Sequence, residues 1–333
     1  IKSLLEQDYK NYEIIAIDDM SEDNTGNIIK KISKENSKVV YVLADPKPEK
    51  WTGKNWACFE GFRKSSGELL LFTDADTFHT RKTISLAVDH LMSEELDALT
   101  VIPKMLCLDW WTKITLPVLS TFLHTRFSDL RVNDPSKKTG YFFGSFFIIK
   151  RKTYESVGTH EGVKSDIVED GALGKKVKEQ GFKLKMVRGE HLVEAIWARD
   201  WATLWHALKR LMIPLYIQSN KIAVGIFFAV LFLLFMPFPI IAYSAIFANI
   251  SESFSILCGI SLISVGLFYL GSIIDAKKGL SLGFRHALFA PIGSTVIIAG
   301  FLTGILHARR SNSLTWRGRT YSLSETAQHS INL

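Results

Sequence analysis

Cysteine is scarce in this 333-residue chain: Cys58, Cys107 and Cys258 are odd in number and far apart. That excludes a disulfide framework and a cysteine metal cluster, and fits a reducing compartment for the soluble part. Zinc-finger spacings are missing, as is the interleaving of Arg with aromatics found on RNA-binding surfaces. The formal charge of +7 therefore does not call for a nucleic acid partner. Lys and Arg are spread out, with local clusters beside apolar segments, as on the cytoplasmic side of a membrane. Charge is missing altogether from three stretches, 222–247, 254–274 and 287–306. Each is near or above the ~20 residues needed to cross a bilayer. A Met is missing at position 1, and residues 1–7 read as the tail of an amphipathic helix with Ile1, Leu4 and Leu5 on one face. The chain is expected to lack its natural N-terminus.

What is present is organised around residues 68–76. Four apolar residues, 69–72, run straight into Thr73 and then Asp74-Ala75-Asp76. A short apolar run reads as a buried strand of a parallel sheet, and ligands of such sheets bind off the carboxyl ends of the strands. Two carboxylates one residue apart can hold a divalent cation, and the cation a diphosphate. Residues 13–19 repeat the pattern, an apolar strand ending in Asp18-Asp19. The cap and turn residues Ser21, Asp23, Asn24 and Thr25 follow, then Ile28, Ile29 and Ile32 at helical spacing and a strand over 39–43. Strand, helix and strand this close predict a parallel βαβ unit.

Further along, helices are predicted over 55–64 and 84–92, a strand over 98–105, a helix following Glu169-Asp170, and a last short strand over 182–187. Residues 110–123, with Trp110, Trp111 and an internal Pro117, read equally as an interfacial helix or a buried core helix. In the C-terminal part, the loop at 249–253 has no Lys or Arg, while the next has Lys277, Lys278 and Arg285. The positive-inside rule puts that second loop, and the segment before 222, in the cytoplasm. Three full crossings would leave Arg309, Arg310, Arg317 and Arg319 outside. Re-entry of 287–306, helped by Pro291 and Gly293, is the other topology.

Acids closing two strands, the Glu169-Asp170 pair before a helix and a membrane-embedded C-terminal part together resemble the family 2 glycosyltransferases. The resemblance implies an α/β GT-A fold, a mostly parallel sheet flanked by helices and followed by transmembrane helices. Residues 1–215 would be the GT-A domain without its first strand, 216–308 the transmembrane region and 309–333 a basic tail. It implies that Asp18 and Asp19 bind the donor's uracil and ribose. The Gly-Lys loop, Trp51-Thr52-Gly53-Lys54-Asn55-Trp56-Ala57, would bring Lys54 to the diphosphate. Asp74 and Asp76 match the DxD site, with Asp76 the direct ligand of Mg2+ or Mn2+. Asp170 matches the catalytic base, with Glu169 orienting it. The QxxRW motif is not intact. Its nearest match, residues 206–210, keeps His206 and Arg210 but no following Trp, which favours transfer of one sugar over a processive synthase. Residues 315–321, with Trp316, Arg317 and Arg319, resemble the tail of a membrane subgroup. That subgroup includes ceramide glucosyltransferase-like, carotenoid and hopanoid glycosyltransferases, and these three residues, with Glu169, His206 and Arg210, are possible acceptor or diphosphate contacts.

The expectation is an inverting glycosyltransferase of the cell membrane with its catalytic domain on the cytoplasmic side. It would move a sugar, UDP-linked, to a lipid acceptor that reaches Asp170 between 110–123 and 197–210. A processive polysaccharide synthase is the alternative enzyme, and a non-catalytic membrane scaffold with the same fold is the alternative of another class.

Overall fold

The computed structural model describes residues 1–322 apart from Ala248, Asn312, Arg317 and Gly318, and the side chains of 124–126 and 314–316 stand outside it. Two units emerge. The first comprises Ile1–Lys104, Phe127–Ala195 and the described residues from Thr315 onward. The second comprises Met105–Arg126 and Ile196–Leu314.

The first unit opens with α1 (Lys2–Leu5), β1 (Ile14–Asp18), α2 (Thr25–Glu35) and β2 (Val39–Leu43). β1 and β2 pair in parallel from Ile14 opposite Val39 to Asp18 opposite Leu43. The crossover helix that such a pair needs is α2. Of its three isoleucines Ile29 is buried, while Ile28 is exposed. Next come α3 (Gly53–Lys64), β3 (Leu69–Phe72), β4 (Phe78–His79), α4 (Thr83–Ser93), β5 (Ala98–Ile102) and β6 (Lys104–Met105). Thr52 caps α3, its hydroxyl accepting the Asn55 N–H at 3.3 Å.

The chain passes through the other unit's α5 (Trp110–Phe127) and returns with α6 (Asp129–Asn133), β7 (Phe147–Lys150), α7 (Arg151–Ser156), α8 (Glu169–Glu179), β8 (Leu184–Arg188) and β9 (Val193–Ala195). The main sheet runs β3-β7-β5-β8. β5 and β8 are parallel, but β7 runs antiparallel to both β3 and β5. The strand at 69–72 therefore has an antiparallel neighbour where a parallel one was expected. β7 enters the sheet from the end at which β3 leaves it, so the acidic turn after β3 faces the turn that precedes β7. Every residue of β5 is buried. Phe142 stacks on Phe147 at 4.4 Å and Phe147 on Phe72 at 4.8 Å, filling one face. Buried Tyr154 and His160 satisfy one another, the hydroxyl 2.5 Å from Nδ1. Burial pushes the His160 imidazole down to about 3, so it is neutral. The strand at 182–187 is not the last: β9 joins a small sheet in the order β4-β9-β6.

The second unit adds α9 (Trp201–Gln218), α10 (Asn220–Leu234), α11 (Pro237–Phe247), α12 (Glu252–Lys278) and α13 (Ala290–Arg310) to α5. β10 (Ser313–Trp316) and β11 (Arg319–Ser322) close the described chain as a two-stranded sheet. Two helices, 27 residues each at Glu252–Lys278 and Phe284–Arg310, are long and apolar enough to cross a membrane. The first uncharged run is not one helix but α10 and α11, bent by 49°. Pro237 supplies no N–H and crowds the residue before it, so the break falls just ahead of it. In α5 the middle is core: Ile114, Leu116, Val118 and Leu119 are buried, whereas Trp110 is exposed. Trp111 packs on Trp201 at 4.7 Å, and Trp201 stacks on Trp205 at 5.4 Å. Thr121 donates to Asp275 Oδ2 at 2.6 Å, tying α5 to α12.

Candidate active site

Asp74 ends β3, and its position is set by hydroxyls. Thr77 Oγ1 donates to the Asp74 carbonyl at 2.7 Å, and Thr73 Oγ1 donates to the Ser145 carbonyl at 2.8 Å. Beneath them His79 Nε2 lies 3.2 Å from Thr73 Oγ1, and burial pushes His79 down to about 4. The acidic turn is thereby fixed against residues 144–145.

Lys54, in the first turn of α3, reaches this turn. Its Nζ is 2.9 Å from Asp74 Oδ1 and 2.7 Å from Glu169 Oε1. Burial alone would lower its pKa, but the carboxylates of Glu169 and Asp74 outweigh it and hold the ammonium well above the ordinary lysine value. Glu169 and Asp170 open α8, where the helix dipole favours negative charge. Asp170 Oδ1 accepts the Gly171 N–H at 2.8 Å and Oδ2 accepts the Gly144 N–H at 2.8 Å. Burial first, and then the Glu169 charge, push the Asp170 carboxyl up to about 7. One fixed cation and two carboxylates of opposed character therefore share one site: Glu169 paired with Lys54, and Asp170 poised to take a proton near neutrality.

Gly144 lies at the centre of this group. A Cβ on it would stand 2.8 Å from Asp170 Oδ2, 2.8 Å from Lys54 Nζ and 3.4 Å from Asp74 Oδ2. Its turn is pinned by buried Thr100, whose hydroxyl accepts the Phe143 N–H at 2.8 Å and donates to the Phe146 carbonyl at 3.1 Å. Asn55 is fully buried, and its amide donates to the carbonyls of Val163 (2.7 Å), Lys164 (3.1 Å) and Asp166 (3.1 Å). It staples the start of α3 to the loop that leads into Glu169. Sequence reasoning missed Gly144, Thr100 and Asn55. Asn55 had a signal, its place in the Gly-Lys loop. A Gly and a Thr within apolar runs had none.

At the carboxyl end of β1, Asp18 is buried and accepts from the Ser21 N–H at 2.9 Å and the Tyr41 hydroxyl at 3.1 Å. Burial raises its carboxyl, and these bonds more than offset that, holding it below the usual range. Asp19 is bound by Arg319, as described below. Asp76 is half-buried on the turn after Asp74. Among the described residues no three His, Cys, Asp or Glu side chains converge as a metal site. The pair Asp74 and Asp76 supplies hard oxygen ligands that suit Mg2+ or Mn2+ when diphosphate and water complete the set. His206 and Arg210 lie on α9, in the second unit. The Trp316 side chain and Arg317 lie outside the described residues.

Residues 1–158 match the model of glycosyl transferase family 2. Those residues are a family 2 glycosyl transferase domain. The 4,4'-diaponeurosporenoate glycosyltransferase of Staphylococcus aureus (strain USA300) is 22% identical over 184 residues, covering 53% of this chain and 46% of that protein. The chain thus spans about half the length of the curated relatives it matches. Among solved structures, the mannosyltransferase PcManGT from Pyrobaculum calidifontis, in complex with GDP-Man and Mn2+, superposes with a TM-score of 0.50 at 15% identity. It covers 92% of this chain and 81% of that one. The fold is GT-A. In the family 2 domain the Gly-Lys loop and the Asp74 turn thus come from within the matched residues, whereas Glu169 and Asp170 follow just beyond them.

Proposed function

We propose that this chain is an inverting glycosyltransferase that moves a sugar from a nucleoside diphosphate donor to a lipid hydroxyl or phosphate at a membrane. The observation that carries this reading is the pairing of an ion-paired Lys54 with an Asp170 pushed up to about 7 in one site. In the reaction the acceptor oxygen attacks the anomeric carbon and its proton passes to Asp170. The bond from that carbon to the diphosphate oxygen breaks, and the diphosphate leaves with the electron pair. In this reading Lys54 offsets the charge of the leaving group, and Asp18 and Asp19 bind the nucleoside. Asp74 and Asp76 would hold Mg2+ or Mn2+, which supplies Lewis-acid stabilisation of diphosphate oxygens when bound. Glu169 keeps Lys54 in place and keeps Asp170 basic.

The membrane part of the reading rests on the two 27-residue apolar helices and the broken pair α10–α11. The lipid acceptor is favoured by a relative named for glycosylating 4,4'-diaponeurosporenoate. The Lys and Arg of the second loop favour a cytoplasmic catalytic unit by the positive-inside rule. UDP is favoured as the nucleotide by the resemblance of the Asp18-Asp19 strand end.

The test supplies the purified chain in nanodiscs with membrane lipid extract, Mn2+ and a panel of nucleotide-sugars, and measures free nucleoside diphosphate beside Asp170→Asn. Lipid-dependent release that vanishes in the variant is expected. Release equal in both, or none with any donor, would leave a scaffold.

A further inference from the structure

β11 returns to the carboxyl end of β1. Arg319 Nη1 donates to Asp19 Oδ2 at 2.6 Å, and Nη2 donates to Oδ1 at 3.1 Å and to the Asp19 carbonyl at 3.3 Å. Two positions on, the buried Tyr321 hydroxyl accepts the Gly53 N–H at 3.2 Å. The guanidinium fills the place of a side chain on Gly53, since a Cβ there would stand 2.3 Å from Arg319 Nη1. With two side chains, β11 therefore covers the gap between Asp19 and the first turn of α3, one residue from Lys54.

We propose that Arg319 is a donor-site residue that changes partners: it holds Asp19 while the site is empty and turns to the donor's diphosphate when the nucleoside takes Asp19. This rests on the donor reading above. Four observations carry the exchange. The two side chains of the pair are each about a third exposed, 34% and 31%, so water screens the pair and it opens readily. A guanidinium fork fits two phosphate oxygens as well as it fits a carboxylate. The fork lies against Gly53 at the positive end of α3, a setting that disfavours a cation unless an anion accompanies it. Tyr321 is anchored to the Gly53 backbone independently of Asp19, so Arg319 can turn without β11 leaving. Asp19, once released, offers both oxygens to the N–H and O–H donors of a base and ribose.

The experiment is calorimetry on the whole chain in nanodiscs with Mn2+, titrating UDP and uridine, and GDP and guanosine, into wild type, Arg319→Met and Arg319→Lys. Wild type is expected to prefer the diphosphate over its nucleoside. Arg319→Met should lose about tenfold in diphosphate affinity while the nucleoside binds as well or better, so the preference collapses. Arg319→Lys should restore part of it. Thermal midpoints establish that the variants are folded. Equal loss for diphosphate and nucleoside would make β11 a structural strand, and equal gain would make Arg319 a mere block on Asp19; either overturns the exchange. If neither diphosphate binds wild type or the variants, the donor reading fails and the exchange falls with it.

Discussion

The amide N–H of Gly144 donates to Oδ2 of Asp170 at 2.8 Å, across a gap that has no room for a methyl group. The turn before β7 thereby aims the proposed base and lets Lys54 reach between Asp74 and Glu169. Gly144→Ala would force its Cβ against Asp170 and Lys54 at once. Overpacking of this kind costs about 1–3 kcal/mol. Because the displaced atoms belong to the proposed base and to the cation beside it, transfer should fall by about 100-fold or more, as for small misplacements elsewhere. Steady-state kinetics beside a denaturation midpoint would separate the two effects. Activity within a few-fold of wild type would remove Gly144 from the site.

Asp170 must be ionised to accept a proton, and its carboxyl is pushed up to about 7 by burial and then by Glu169. kcat/KM should therefore rise with pH through about 7 and level off above it. Glu169→Gln removes a negative charge beside Asp170, which favours ionisation, so the acid limb should move to lower pH. The pH profiles of the two proteins check this. A limb that stays put in the variant would leave burial as the whole cause.

Lys54 and Glu169 form a second testable pair. The Glu169 side chain is almost fully buried, 4% exposed, and Lys54 Nζ lies 2.7 Å from it. Removing one partner of a buried pair leaves an uncompensated charge and costs about 3–5 kcal/mol. Lys54→Met should lower the unfolding free energy by about that much, since Asp74 loses its cation as well. Adding Glu169→Gln should recover part of the loss, because the stranded carboxylate is then neutral. Chemical denaturation of the two single variants and the double variant measures the coupling. Additive losses would show that Lys54 and Glu169 do not depend on one another.

The acids at the strand ends were legible in the sequence because each follows an uninterrupted apolar run. Such runs, at 14–17 and 69–72, form β1 and β3 whatever lies beside them. Lys54 and the Glu169-Asp170 pair were legible from motif resemblance. What escaped depends on long-range approach. β7 carries no mark of running antiparallel to β3. Gly144 sits in an aromatic stretch, and its role comes from Asp170 and Lys54 arriving from elsewhere. Arg319 was visible as a basic residue near the end, but its bond to Asp19, 300 positions away, belongs to the folded chain. Pro237 was visible too. That it ends α10 rather than being absorbed follows from the lost N–H and the crowding of Met236.

Asn55 yields the last prediction. Its fully buried amide donates to three carbonyls, of Val163, Lys164 and Asp166, while the neighbouring Thr52 N–H donates to Lys164 O at 2.8 Å. Asn55→Ala would strip those carbonyls of a shared donor without opening the site to water. Leaving buried acceptors unsatisfied costs about 1–3 kcal/mol, so the denaturation midpoint should drop accordingly. Asn55→Asp should cost more, since a carboxylate would then face three carbonyl oxygens. The loop from 163 to 166 leads directly into Glu169, so loosening it should also let Glu169 drift from Lys54. A fall in kcat with the donor KM nearly unchanged is therefore expected in Asn55→Ala. A midpoint shift with kcat intact would confine Asn55 to holding the loop.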